Sequence, residues 1–437
     1  MNLLVTNGTV LPMNEAMEVI PDGAVRVENG CIRRVGKSGE LEAEETDRVV
    51  DAGGGIIMPG LVNTHTHASM TLFRGLADDL PLMEWLREHI FPAESNLTGE
   101  KVHAGALLAC AEMILSGTTC FCDMYLFEDE VAKAAGKAGM RAVVGEVLYD
   151  FPSPNYGSLE NGFAYAESMI DKWKDDPLIT VALEPHSPYI CAPELLERAV
   201  DMAAAAHLPL VIHAAETRSE HEQIQSKYNR TPIEFLADRG ALTGNLVACH
   251  CVHVSESDIE LMADNGVNVA HCPESNMKLA SGVAPVPRML EKGVCVALGT
   301  DGCASNNDLD LFLEMDTAAK LHKVFSKDPS AVSAETAIRM ATINGARALG
   351  LGSVTGSLEA GKRGDIIVVD TSAPHLFPMY NPYSHLVYSA SGHDVSAVVI
   401  DGKPVMENRR ISTLDTKRIM ETVKGFAAEI RQHDSAN

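Results

Sequence analysis

Positive charge is scarce in this sequence. Lys and Arg total 35 against 60 Asp and Glu, a formal net charge of −25. That field repels polyanions, which argues against nucleic acid or an anionic membrane surface as a partner. Long apolar runs are absent too: nothing approaches the roughly 20 residues that a membrane helix needs. The N-terminal MNLLVTNGTVLPM lacks a basic residue ahead of its apolar part and lacks a cleavage site. It reads as a strand and a turn, not a signal peptide, and points to the cytoplasm. Ten cysteines occur without any CxxC spacing, singly or as the CxC pairs Cys120 with Cys122 and Cys249 with Cys251. In a long intracellular chain such cysteines are small buried apolar residues, not zinc ligands or disulfides.

What is present is an ordinary α/β composition, 46% hydrophobic, in a chain of 437 residues. That length exceeds one usual core and suggests two structural units. The first ~55 residues alternate like half-buried strands with NG-type turns between them. The same texture returns in DIIVVD and in SAVVIDGKPVM, where Asp401-Gly402 marks a hairpin. Between these ends, short β-rich runs each precede a helical stretch. The strands are GIIMPGLVNTHTH, TTCFCDM, RAVVGEV, ITVALEPH, PLVIHAAE, LVACHCVH, VNVAHCPE and CVALGTD. Eight such units predict a closed (β/α)8 barrel of the TIM type. A doubly wound open sheet is the rival, but it would gather its ligand at one crevice and not on many strand ends. The expected division is a barrel over 57–358 and a small composite β-sandwich from 1–56 and 359–437.

In a barrel enzyme the active site sits where the strands end. Here the first strand ends His65-Thr66-His67, the fourth at His186 and the fifth in His213-Ala214-Ala215-Glu216. The sixth carries His250 and the eighth ends at Asp301. Residues i and i+2 on a strand share a face, so His65 and His67 can reach one ion. An HxH alone is weak; the convergence of five or more such groups carries the signal. Three imidazoles and a carboxylate suit zinc with an open position for water, whose pKa then falls to around 7. Iron or manganese could take the same ligands. Asp301 could also accept the water's proton, Glu216 could carry a proton to a ring nitrogen and then to a leaving amine, and His250 could steady the attacking oxygen. His253 competes with His250 for that last role; His250 is preferred because it lies inside the apolar run LVACHC.

At this point the chain resembles the amidohydrolase superfamily, and within it the 5-methylthioadenosine/S-adenosylhomocysteine deaminase branch. The resemblance spans the whole chain. It rests on PGLVNTHTHASMTLFRGLADDLPLMEWL, GTTCFCDMY, PHSPYICAPELL, IHAAET, CHCVHVSE, HCPESNMKLASGVAPVPRML, LGTDGCASNNDLDLFLEM and GSLEAGKRGDIIVVD. It implies one metal ion on His65, His67, His213 and Asp301, proton transfer by Glu216 and His250, and a sandwich built from both termini. It further implies ribose contacts from Glu94 and His186, with Trp85 in the wall beside the thioether arm. A homo-oligomer acting on a small nucleoside is the family expectation. One departure stands out: relatives that hold an amino-acid tail are expected to offer an arginine after the GMRA strand. Here the stretch reads VVGEVLYD, with Glu146 about where that arginine should fall. A carboxylate there would repel the tail's carboxylate, which favours methylthioadenosine over S-adenosylhomocysteine. Two other readings compete. One keeps the metal machinery but acts on guanine, cytosine or a chloro-triazine. The other is a barrel that has become a non-catalytic binding protein; such a chain should have lost ligands, and none is missing here.

Overall fold

The structure is a computed structural model that describes residues 2–41, 43–44, 47–80 and 84–434. Pro81, Leu82 and Met83 of the quoted LPLMEWL segment, and the chain ends at 1 and 435–437, lie outside the described residues.

The expected barrel is the one found. Its strands are β1 (Leu61–His67), β2 (Thr118–Tyr125), β3 (Arg141–Leu148), β4 (Ile179–Val181 with Glu184–Pro185), β5 (Leu210–Ala214), β6 (Leu246–His250), β7 (Asn268–His271) and β8 (Cys295–Leu298 with Asp301–Gly302). All neighbours are parallel. A bridge from Leu183 to Leu210 joins β4 to β5, and Asp301 pairs with Thr66 to close β8 on β1. Asn63 reinforces that seam, donating to Thr300 Oγ1 at 2.8 Å and accepting from the Thr300 N–H at 3.0 Å. Parallel strands covered on both sides read as unbroken apolar runs, and β2, β3 and β5 are buried at every position.

Helices cover the outside. Pro193–Ala206 shows why such a segment is helical: Pro193 starts it, and Leu195, Leu196, Ala199 and Ala203 fall on one buried face. Gly99–Leu115 buries more of its circumference. Its outer side meets the C-terminal helix Thr416–Asp434, whose Ile419, Val423 and Ile430 join the barrel's core, and Lys101 Nζ lies 3.4 Å from Glu429.

The two β-rich ends form one nine-stranded sheet. Ile56–Pro59, from the N-terminal part, pairs in parallel with Asn2–Val10 and antiparallel with Ile366–Val369. The sheet curls until Cys31 bridges Arg363, enclosing a second core of Leu3, Val5, Val27, Ile57, Ile366 and Val399. The Asp401-Gly402 hairpin forms as expected, with both residues at positive φ, 54° and 72°. The first strand, expected as one run over GIIMPGLVNTHTH, is two. Pro59 has no N–H for a ladder, the Gly60 N–H donates to Asp365 O at 3.1 Å, and the chain leaves the curled sheet to start β1. The cysteines are free, and eight of the ten are buried. No helix among the described residues is long and apolar enough to cross a membrane.

Candidate metal centre and active-site cavity

The histidines and carboxylates named from the strand ends meet at the C-terminal mouth of the barrel. His65 and His67 share a face of β1, their ring centroids 4.9 Å apart, and His213 from β5 is 4.9 Å from His65. Asp301 Oδ1 lies 3.2 Å from His67 Nε2 and 3.7 Å from His65 Nε2. Donor atoms of His65, His67 and His213 lie within 4.8 Å of one another, as do those of His65, His250 and Asp301.

The surroundings decide which atom of each group faces inward. His67 Nδ1 meets the Met124 carbonyl, and His213 Nδ1 meets the His186 carbonyl at 2.8 Å. Each Nδ1 therefore carries the proton, leaving a lone pair on Nε2, the arrangement that outer-shell carbonyls impose on metal-binding histidines. Asp301 is steadied by Ser275 Oγ, which donates at 2.7 Å, and by the Gly302 N–H at 2.8 Å. His65 is fully buried, and neither of its ring nitrogens has a hydrogen-bond partner. A buried imidazole without a partner is costly; a cation shared with His67, His213 and Asp301 would satisfy it. The donor set therefore fits one divalent ion.

Charge behaves accordingly. Burial lowers the His65 and His213 imidazoles well below their ordinary value, and neighbouring histidines push the same way. Burial also opposes ionisation of Asp301, but the hydrogen bond and charge of His67 outweigh it and hold the carboxyl well below the usual range. Neutral imidazoles and an ionised aspartate are the forms that bind a metal.

Glu216 and His250 line the same cavity. Ala215 is left-handed at φ 52°, and the turn is clamped by Glu220, whose carboxylate accepts from the Ala215 N–H at 3.0 Å and the Glu216 N–H at 2.8 Å. Burial raises the Glu216 carboxyl, as a proton donor requires. His250 is also at positive φ, 73°, and its Nδ1 is 3.0 Å from Asn276 Oδ1, so its Nε2 is left as the free lone pair. Backbone strain of this kind costs on the order of 1–3 kcal/mol per residue and gathers at working sites. His253 is engaged elsewhere, with Nε2 2.8 Å from the Ser281 carbonyl. Glu220 and Asn276 escaped sequence reasoning. The available signals were the one-turn spacing of Glu220 from Glu216 and the place of Asn276 inside HCPESNMKL.

The substrate-side residues share the cavity. Trp85 is buried in its wall and donates Nε1–H to the Ala77 carbonyl at 3.1 Å. Glu94 Oε1 accepts from Tyr125 Oη at 2.8 Å, and burial pushes its carboxyl up to about 7. His186 lines the cavity beside His213, ring centroids 4.8 Å apart. Glu146 is a correction. Its carboxylate accepts from the Glu128 N–H and from Asn155 Nδ2, both at 2.9 Å, and the residue is 2% exposed. The next residue, Val147, lines the cavity instead, so Glu146 faces the opposite side of β3 and presents no charge to a ligand.

Comparison with known proteins agrees with this geometry. A 5-methylthioadenosine/S-adenosylhomocysteine deaminase of Syntrophobacter fumaroxidans is 58% identical over 431 residues, 98% of either chain. A 5′-deoxyadenosine deaminase of Methanosarcina mazei is 46% identical over 431 residues, again 98% of either chain. The crystal structure of an adenosine deaminase from Xanthomonas campestris with bound zinc superposes with a TM-score of 0.96 at 42% identity, covering 98% of both chains. The amidohydrolase family model matches residues 56–405, and the chain belongs to that family.

Proposed function

We propose that this protein is a hydrolytic deaminase of adenosine nucleosides modified at the 5′ position, methylthioadenosine and S-adenosylhomocysteine among them. It releases ammonia and leaves the inosine analogue. The observation that carries this reading is a single cavity with the four-donor set, Glu216 and His250 at one end and Glu94, held by Tyr125, in its wall. The names of the relatives support the same substrates.

One zinc ion on His65, His67, His213 and Asp301 is the cofactor of this reading, with iron and manganese as alternatives; when bound it acidifies a water molecule at neutral pH. Glu216 gives a proton to the ring nitrogen beside the amino-bearing carbon. His250, its Nδ1–H committed to Asn276, turns Nε2 to the attacking oxygen. Asp301 takes a proton from the water. The C–N bond breaks as the carbonyl forms; of the water's two protons, one replaces that given up by Glu216 and the other leaves with the amine. Glu94 and His186 hold the ribose, and Trp85 closes the wall. Residues 57–358 form the catalytic domain of this reading, flanked by 1–56 with 359–437, in a cytoplasmic enzyme.

Parallel turnover of methylthioadenosine, S-adenosylhomocysteine, adenosine, guanine, cytosine and a chloro-triazine tests it, using zinc-loaded wild type and Glu216→Gln. The expected result is ammonia release from the adenosine compounds alone. Glu216→Gln should keep its zinc and lose about 10²–10⁴-fold in kcat. Turnover confined to a free base or a triazine would remove the nucleoside assignment, and an active Glu216→Gln would remove the proton carrier.

A further inference from the structure

The cavity continues beyond Glu94. It opens into an outer groove that shares Phe91, Leu126, Tyr149 and Phe151 with it and runs on past Pro152 to Arg87. The groove's wall has no part in the chemistry above. Tyr149 and Phe151 are stacked, with ring centroids 4.0 Å apart and planes 14° from parallel, and Phe91 stands 6.4 Å from Phe151. Phe151 is 43% exposed, a large apolar face left open at the mouth of a polar site. The Tyr149 hydroxyl is engaged with Ser153. These rings follow directly on Val147, the cavity-lining residue of β3, in the stretch where a tail-binding arginine was expected.

We propose that this groove is the subsite for the 5′ substituent, and that its aromatic wall selects uncharged thioether and alkyl arms over the zwitterionic amino-acid tail of S-adenosylhomocysteine. The proposal rests on the deaminase reading above. With the purine ring at the donor set and the ribose diol at Glu94, the groove that leads outward from Glu94 is the course left for the 5′ carbon. A thioether or alkyl arm laid on Phe151 buries apolar surface on both partners, and sulfur packs well against ring edges. An amino-acid tail must bring an ammonium and a carboxylate onto Phe91, Phe151 and Pro152. The groove's lining offers it one cation, Arg87, which is exposed and so heavily screened. The Glu94 carboxyl lines the same groove, and the chain as a whole carries −25. A bare 5′-hydroxyl fares little better, since it gives up water to face apolar rings.

The test is kcat/KM for 5′-deoxyadenosine, methylthioadenosine, 5′-butylthioadenosine, 5′-benzylthioadenosine and S-adenosylhomocysteine, with zinc-loaded wild type and Phe151→Ala. The expected result is a rise along the uncharged series, about fourfold for each methylene buried. S-adenosylhomocysteine should fall at least about tenfold below methylthioadenosine, the cost of bringing imperfectly paired charges onto an apolar wall. In Phe151→Ala the ratio of benzylthio to deoxy substrate should collapse by about tenfold, the loss of a buried aromatic contact. S-adenosylhomocysteine matching or exceeding methylthioadenosine, or a ratio untouched by Phe151→Ala, overturns the subsite while leaving the deaminase standing. No turnover of any adenosine compound by the zinc-loaded protein fails the deaminase reading itself, and the subsite with it.

Discussion

Glu146 is a carboxyl folded into the layer between barrel and helices, where burial pushes it up to about 7 despite hydrogen bonds from the Glu128 N–H and Asn155 that favour its ionised form. The consequence is a pH-dependent stability of definite sign. In the unfolded chain this carboxyl ionises near its ordinary value, so as pH rises the unfolded state sheds the proton first. Its contribution is therefore fully present below that ordinary value and is lost as pH rises through about 7. Glu146→Gln keeps an oxygen for one of the two donors and removes the titration. Denaturant titrations at pH 5 and pH 8 should show the variant gaining on wild type by on the order of 2–3 kcal/mol between the two conditions. A difference that is the same at both pH values would mean that Glu146 does not titrate in the folded protein. The residue also marks a limit of sequence reading. In VVGEVL every neighbour is buried, so no alternation tells an inward from an outward side chain, and only the register of β3 in the closed barrel sets the side on which Glu146 lies.

At the scale of elements, the strand ends were legible because a parallel barrel puts every carboxyl end at one mouth. Histidine and carboxylate at the ends of β1, β5, β6 and β8 could be gathered without coordinates. What holds those ends in place was not legible, because the contacts cross between elements far apart in sequence. Ser275 and Asn276 follow β7, yet they serve Asp301 and His250. Pro59 likewise divides an apolar run that looks continuous. The closest approach between strands is at β8 and β1, where Gly299 faces His65: a Cβ on Gly299 would sit 2.8 Å from His65 Cβ and 2.9 Å from its backbone nitrogen. No flexible side-chain end is available to yield, so β1 itself must shift. Gly299→Ala should cost about 1–3 kcal/mol of stability and should weaken metal binding about tenfold or more, because His65 and His67 move together. Competition against a chelating dye reads the second effect separately from the first. A variant that is less stable but binds zinc as tightly as wild type would show that β1 absorbs the methyl without moving its imidazoles.

For the whole molecule, two cores with different tasks share one chain. The curled sheet closes its own apolar interior and joins both termini, whereas the barrel carries at its mouth a cost that no internal contact removes. His65, His213 and His250 are buried there with their lone pairs converging, beside an aspartate that burial disfavours in its charged form. Neutral imidazoles packed together gain nothing from one another, and a net charge of −25 draws cations toward the site. An ion bound to the folded barrel and not to the unfolded chain then stabilises by mass action, about 4 kcal/mol when its concentration is a thousandfold above Kd. Dialysis against a strong chelator should therefore lower Tm by several degrees, and stoichiometric zinc should restore it. Glu216→Gln should show the same chelator response, because Glu216 lies outside the donor set. An unchanged Tm after verified metal removal would mean that the convergence at the barrel mouth is paid for by packing alone, and that these histidines are not the ion's principal ligands.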